Sequence, residues 1–337
     1  MVDGIAFDHG ISRRITTIVA AFGSMLPKLC IKAMTSSLLY ASRTAFPWLK
    51  DHPSFKKPRV MDGVPHRTPM FCHDLAENLR DGSIETVVGI QEVTGPRSVL
   101  LTDGTVLDVD AMIFCSGYLY DFSLVKGAGD PTDPAHAPDH FQRIKATRHY
   151  VDAFPRLYHG IVSEQFPESL AFLGHMITMQ APWVLNDLAT MAIASLWSGA
   201  YPLPTAEEMA KDINSHYDFQ VEMLNRGPIP HLGFRIANAA ATNLWLNEAA
   251  GTGVMDRLAT LKSWFHKKSW CLWWYDRKFY YLLMDGPDVP AVFRLFETGR
   301  PGRKAWPGAR DHIIKTNEEI ANMLKEWKKM KKTKKIQ

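Results

Sequence analysis

The chain has 337 residues, of which 46% are hydrophobic and 22% charged, which excludes a disordered, collagen-like or disulfide-framework protein. The formal net charge is +4, yet residues 325–335 hold seven Lys against one Glu, so the rest of the chain is slightly acidic. No broad basic face for nucleic acid is expected.

The four cysteines, Cys30, Cys72, Cys115 and Cys271, form no CxxC pair, which fits a reducing compartment and points away from a zinc site. Asp3 and Asp8 stand where a signal peptide carries positive charge, so secretion is not expected. No window reaches the roughly 18 uninterrupted apolar residues of a membrane span. A cytoplasmic protein is expected. Residues 15–49 are apolar but broken by Lys28, Lys32, Arg43 and Pro27. They read as a packed helical hairpin or, with the Lys-rich tail, as a stretch making peripheral membrane contact.

In chain order, residues 12–50 predict helix and 51–82, rich in Pro, His, Lys and Arg, an irregular connection. Residues 84–90 alternate and predict a strand. A second strand over 98–102, the Asp103-Gly104 turn and a third strand over 105–107 complete a β-meander. The apolar run Ala111-Met112-Ile113-Phe114 predicts a buried strand that ends in a turn at Gly117. Residues 127–139 read as a loop. Leu170-Ala171-Phe172-Leu173-Gly174 is a second apolar run closed by glycine, with a helix expected over 185–196. Strand, glycine turn and helix start together can present backbone N–H groups to an anion or cofactor edge.

From Pro204 the chain predicts helix, with Thr205 as a cap and Glu207 and Glu208 in the first turn. The aromatic block over 264–281 reads as core in preference to a substrate pocket. A last helix is expected from about Thr316 into the tail.

Motifs for other chemistries are weak. Gly127-Ala128-Gly129 runs into Asp130-Pro131, and Gly251-Thr252-Gly253 follows a helix, so neither forms a dinucleotide loop. His136 and His140 lie among Pro134 and Pro138, which prevents one helical face from holding a metal. There is no GxSxG.

The two glycine turns carry a resemblance. Asp103-Gly104-Thr105 with the run from Ala111 to Tyr118, ending Cys115-Ser116-Gly117-Tyr118, is similar to the "DGT … IIFATGY" passage of flavin-containing monooxygenases. Leu157-Tyr158 and Leu170-Ala171-Phe172-Leu173-Gly174 are similar to that family's "LY … LAFIG" segment. The resemblance spans about residues 15–205. The family's two glycine-rich dinucleotide motifs and its FxGxxxHxxx[FY] signature are missing, so the chain resembles the C-terminal portion of such an enzyme.

The resemblance implies an α/β chain with an incomplete two-dinucleotide-binding-domain flavoprotein fold, a β-meander and a helical C-terminal extension. It implies a helical insertion and connection over 1–82, a partial FAD-binding domain over 83–205 and a helical region over 206–337. In the family NADPH reduces FAD, and the flavin then carries oxygen as a hydroperoxide to a small organic substrate; a role in fungal secondary metabolism is implied. The cofactor-binding residues it implies are Ser116, Gly117, Tyr118, Gly174, Gln180 and Asp187, with no metal. With both glycine loops missing, FAD and NADPH would be held weakly, and an inactive remnant or interaction protein is the alternative.

Overall fold

The computed structural model describes residues 8–52, 66, 74–115, 122–125, 127–142, 154–178, 180–227, 229, 231, 233–258 and 267–334. Two compact units divide the chain. One comprises Met1–Ser37, Arg59–Pro69 and Val125–Gln337, the other Leu38–Pro58 and Met70–Leu124. Helix and sheet are mixed, with short antiparallel sheets and long helices.

The helical start expected from the sequence is present as α1 (Arg13–Met25) and α2 (Pro27–Ala45). Ser12 begins α1, its hydroxyl accepting from the Ile15 backbone N–H at 3.3 Å. Part of the expected irregular connection is instead helical: α3 (Leu75–Asp81) ends on Gly82 at φ +82°. Residues 53–65 and 67–73 lie outside the described residues.

The meander forms, with β1 (Ile90–Gly95), β2 (Ser98–Leu101) and β3 (Val106–Asp108) in the order β1-β2-β3. β1 starts at Ile90, where the expected strand over 84–90 would end, because Ile90 is the residue that pairs with Leu101. Val99 and Leu101 are buried, while Val93 and Val106 are exposed.

The expected buried strand over 111–114 is not observed. These residues have no regular structure, and Ile113 and Phe114 are 85% and 78% exposed. An apolar run becomes a buried strand only where neighbouring strands take its N–H and C=O groups. Among the described residues the sheet ends at β3.

In the larger unit a hairpin of β4 (Leu157–Tyr158) and β5 (Val162–Ser163) is extended by 170–172: Ser163 N–H donates to the Leu170 carbonyl, and Phe172 N–H to that of Ile161. α4 (Pro182–Trp197) follows. It buries Val184, Leu185, Leu188, Ala189, Ala192, Ile193 and Leu196, the spacing of one helical face. α5 (Ala206–Leu224) opens with a capping box: Thr205 Oγ1 accepts from Glu208 N–H and Glu208 accepts from Thr205 N–H. α6 (Ala239–Ala249) packs on α1 and α4, and α7 (Val254–Arg257) follows. α8 (Lys267–Tyr275), α9 (Arg277–Asp285) and α10 (Ala309–Lys334) complete the chain.

The last helix begins at Ala309, before the expected Thr316. The aromatic block divides. Phe279 and Tyr280 are core, whereas Trp270, Trp274 and Tyr275 are exposed, which corrects the reading of the block as core. Hydrophobicity alone does not say which side of a short helix meets its neighbours. Trp264 and Phe265 lie outside the described residues. No helix among the described residues is long and apolar enough to cross a membrane.

Candidate functional site

Gly174 forms an open turn ahead of α4. Gly174 sits at φ +81°, open to glycine and strained for other residues. Nothing lies within 4 Å of where its Cβ would be. Its N–H donates to Asn186 Oδ1 at 3.3 Å, which ties the turn to the first part of α4. Pro182 occupies the first turn of α4, and no side chain caps the helix. Leu173 and Trp183, 47% and 55% exposed, flank the opening. The local product is an exposed apolar edge beside an uncapped helix N-terminus, whose dipole favours negative charge.

A buried polar cluster holds this turn in place. Ile177 N–H donates to the Gly233 carbonyl at 2.8 Å and Arg235 N–H to the Ile177 carbonyl at 3.0 Å. Residues 233–235 are anchored in turn by Arg235, which is 1% exposed and bonds Asp212 of α5. Asp212 also accepts from the His159 backbone N–H at 2.9 Å and from Asn238 Nδ2 at 3.2 Å. His159 stands at φ +49° after β4, its Nδ1 lying 3.0 Å from Thr242 Oγ1 and its ring stacked on Trp245 at 4.7 Å. β4, α5, α6 and the 233–235 segment therefore meet on one ion pair.

The electrostatics follow from burial. Desolvation, with the Arg235 charge adding to it, pushes His159 down to about 4 despite the opposing Asp212 charge. His175 is lowered to about 4 for the same two reasons, and His216 also falls well below its usual value. Burial, the largest single influence, works against ionisation of Asp212, but the Arg235 guanidinium, His159 and the Asn238 hydrogen bond together outweigh it and hold the carboxyl below the usual range. The cluster is thus one buried ion pair among neutral imidazoles, an arrangement suited to positioning.

A cavity of about 20 Å³ touches Arg235, Thr242, Gln180 and Ile177. It has room for about one water and none for an organic substrate. An open groove of about 490 Å³ lies between the Gly251-Thr252-Gly253 turn and residues 298–301, lined by Tyr201, Glu248 and Arg300.

The structure separates the expected cofactor residues by role. Gly174 is at the turn. Gln180 is buried, its Nε2 donating to Asp288 Oδ2 at 2.9 Å, and Asp288 pairs with Arg13 at 2.9 Å. Asp187 pairs with Arg294 through two hydrogen bonds of 2.5 and 3.2 Å. Both side chains are thus committed to partners in the C-terminal region. Ser116, Gly117 and Tyr118 lie outside the described residues. Asp212, His159 and Arg235 were not legible in the sequence, since 53 residues separate His159 from Asp212 and 23 separate Asp212 from Arg235. The one local sign was His159-Gly160 closing a short apolar strand.

Comparison with known proteins bears on the chain's kinship. The chain is 32% identical over 320 residues to the monooxygenase aurF of Gibberella zeae, covering 94% of this chain and 57% of that protein. It is 21% identical over 257 residues to flavin-containing monooxygenase 3 of Homo sapiens, covering 75% of this chain and 40% of that protein. The chain is a homologue of the flavin-containing monooxygenases. A further relative, the flavin-containing monooxygenase FMO GS-OX3 of Arabidopsis thaliana, is 26% identical over 120 residues, or 36% of this chain and 22% of that protein. No family model matches the chain. The chain spans 57% and 40% of the lengths of the first two relatives.

The described residues fit part of a flavin. An open glycine turn, an uncapped helix N-terminus and the exposed faces of Leu173 and Trp183 suit the edge and one face of a flat ring carrying negative charge. No glycine loop for a dinucleotide pyrophosphate occurs in the sequence.

Proposed function

We propose that these residues are the C-terminal part of a FAD-dependent, NADPH-using monooxygenase that oxygenates a small organic substrate, in secondary-metabolite biosynthesis. The observation that carries this reading is the 32% identity to a monooxygenase over 94% of the chain, which includes the open turn at Gly174.

FAD, when bound, supplies the redox and oxygen chemistry. The chain's own share is binding and orientation. Gly174 leaves room beside the turn, and the first turn of α4 offers backbone N–H groups to an anionic ring edge. Leu173 and Trp183 offer apolar cover that keeps water from that edge. The Asp212–Arg235 pair fixes residues 233–235, which hydrogen-bond Ile177 and so hold the turn in register. Gln180 and Asp187 belong to the proposed cofactor set by stiffening the turn through Asp288 and Arg294.

A second reading, a non-catalytic relative, is favoured by the commitment of the Gln180 and Asp187 side chains to Asp288 and Arg294. Titration of the purified chain with FAD, followed by its visible spectrum, separates the two. A perturbed flavin band that NADPH bleaches supports the enzyme. An unperturbed spectrum at saturating chain concentration supports the non-catalytic relative.

A further inference from the structure

We propose that the outward face of α1 and the exposed aromatic cluster of α8 and α9 together dock the protein on an anionic lipid surface. The proposal does not rest on the flavin reading.

α1 is amphipathic in an inverted sense. Its buried residues are Arg13, Thr16, Ala20 and Gly23, whereas Ile15, Ile18 and Met25 are 49%, 61% and 74% exposed. At 3.6 residues per turn the two sets fall on opposite sides of the helix. Leu26 and Leu29 carry the apolar stripe across the corner into α2. An aliphatic stripe of this length facing water marks an interaction surface.

The stripe borders the aromatic cluster. Arg14, beside Ile15, pairs with Asp285 of α9 at 2.6 Å, and its charge acts on Tyr281. Trp270, Trp274 and Tyr275 are half to largely exposed, and Arg277 lies over the rings of Trp273 and Tyr281. Exposed Trp and Tyr suit the headgroup level of a bilayer, where a ring can be apolar on its faces and polar at its edge.

Charge completes the argument. The nearby carboxylates are neutralised: Asp285 by Arg14, Asp276 by Arg310 and Asp256 by Lys268. Among the described residues no carboxylate pairs with Lys32, Arg277 or Lys278. The face is therefore apolar, aromatic and net cationic. Such a face repels a second copy of itself and attracts anionic lipid.

Flotation of the full chain with vesicles tests this. Binding is expected to phosphatidylcholine vesicles containing about one third phosphatidylserine, weakened by salt, with little binding to phosphatidylcholine alone. The double variant Ile18→Ser with Trp274→Ser is expected to weaken binding about tenfold, and Lys278→Gln about fivefold. Brominated lipid should quench tryptophan fluorescence of the wild type, which reads the contact without any variant. The proposal is overturned if the double variant, folded by circular dichroism, floats like the wild type. It is equally overturned if only Lys328→Gln with Lys329→Gln abolishes binding, or if sedimentation shows a dimer that Ile18→Ser dissolves and no vesicle binding occurs.

Discussion

Arg235 donates from one guanidinium nitrogen to both carboxylate oxygens of Asp212, at 2.7 and 2.8 Å, with the guanidinium side chain 1% exposed. The pair links α5 to the segment that hydrogen-bonds Ile177, so a buried charge contact positions a surface turn. Removing one partner of such a pair leaves the other charge buried and unanswered.

Arg235→Met is therefore expected to lower unfolding stability by about 3–5 kcal/mol. Urea denaturation measures it. The double variant Asp212→Asn with Arg235→Met should lose less than the sum of the single losses, since it buries no lone charge. A loss below about 1 kcal/mol in the single variant would show that the pair is not buried in solution.

Acid should destabilise the fold well before the carboxylates protonate. His159 and His175 are lowered to about 4 in the folded state against 6.5 ordinarily, and His216 shifts the same way. The unfolded chain thus binds more protons between those values, and stability falls as pH drops from about 6.5 toward about 4. Each histidine contributes a slope of up to about 1.4 kcal/mol per pH unit. His159→Asn keeps a residue that tolerates the left-handed conformation and should flatten the slope by about that amount. Urea midpoints measured across this window decide it; an unchanged slope would contradict the buried neutral imidazole.

Two glycines should differ sharply. At Gly233 a Cβ would overlap the His175 backbone carbonyl, which has no side-chain freedom to move aside. At Gly174 the space is open and only the φ of +81° is strained. Gly174→Ala is expected to lose about 1–2 kcal/mol. Gly233→Ala should lose more than twice as much and yield little soluble protein. Comparable melting temperatures for the two variants would refute the close packing at 233.

The Arg13–Asp288–Gln180 chain predicts coupling across 275 residues of sequence. Arg13→Met leaves Asp288 with Gln180 alone and should lose about 2–3 kcal/mol. Gln180→Leu should lose about 1–2 kcal/mol. A double-mutant cycle should give an interaction energy above about 0.5 kcal/mol; simple additivity would mean that the two contacts to Asp288 act independently.

Much of the local structure was legible in the residues. Thr205 announced a helix start, Asp103-Gly104 a hairpin, and Leu170 to Gly174 a strand end and turn, because each depends on neighbours a few positions away. The kinship with flavin-containing monooxygenases was likewise readable, since it rests on the order of such short motifs.

Only the tertiary structure decided which charges are buried and which apolar faces are not. His159, Asp212 and Arg235 carry no local signature; the backbone path brings them together. Residues 111–114 and the α8 aromatics were equally hydrophobic on paper, yet both are exposed. Hydrophobicity records what a side chain gains by leaving water, whereas the partner that removes the water is set by the whole chain.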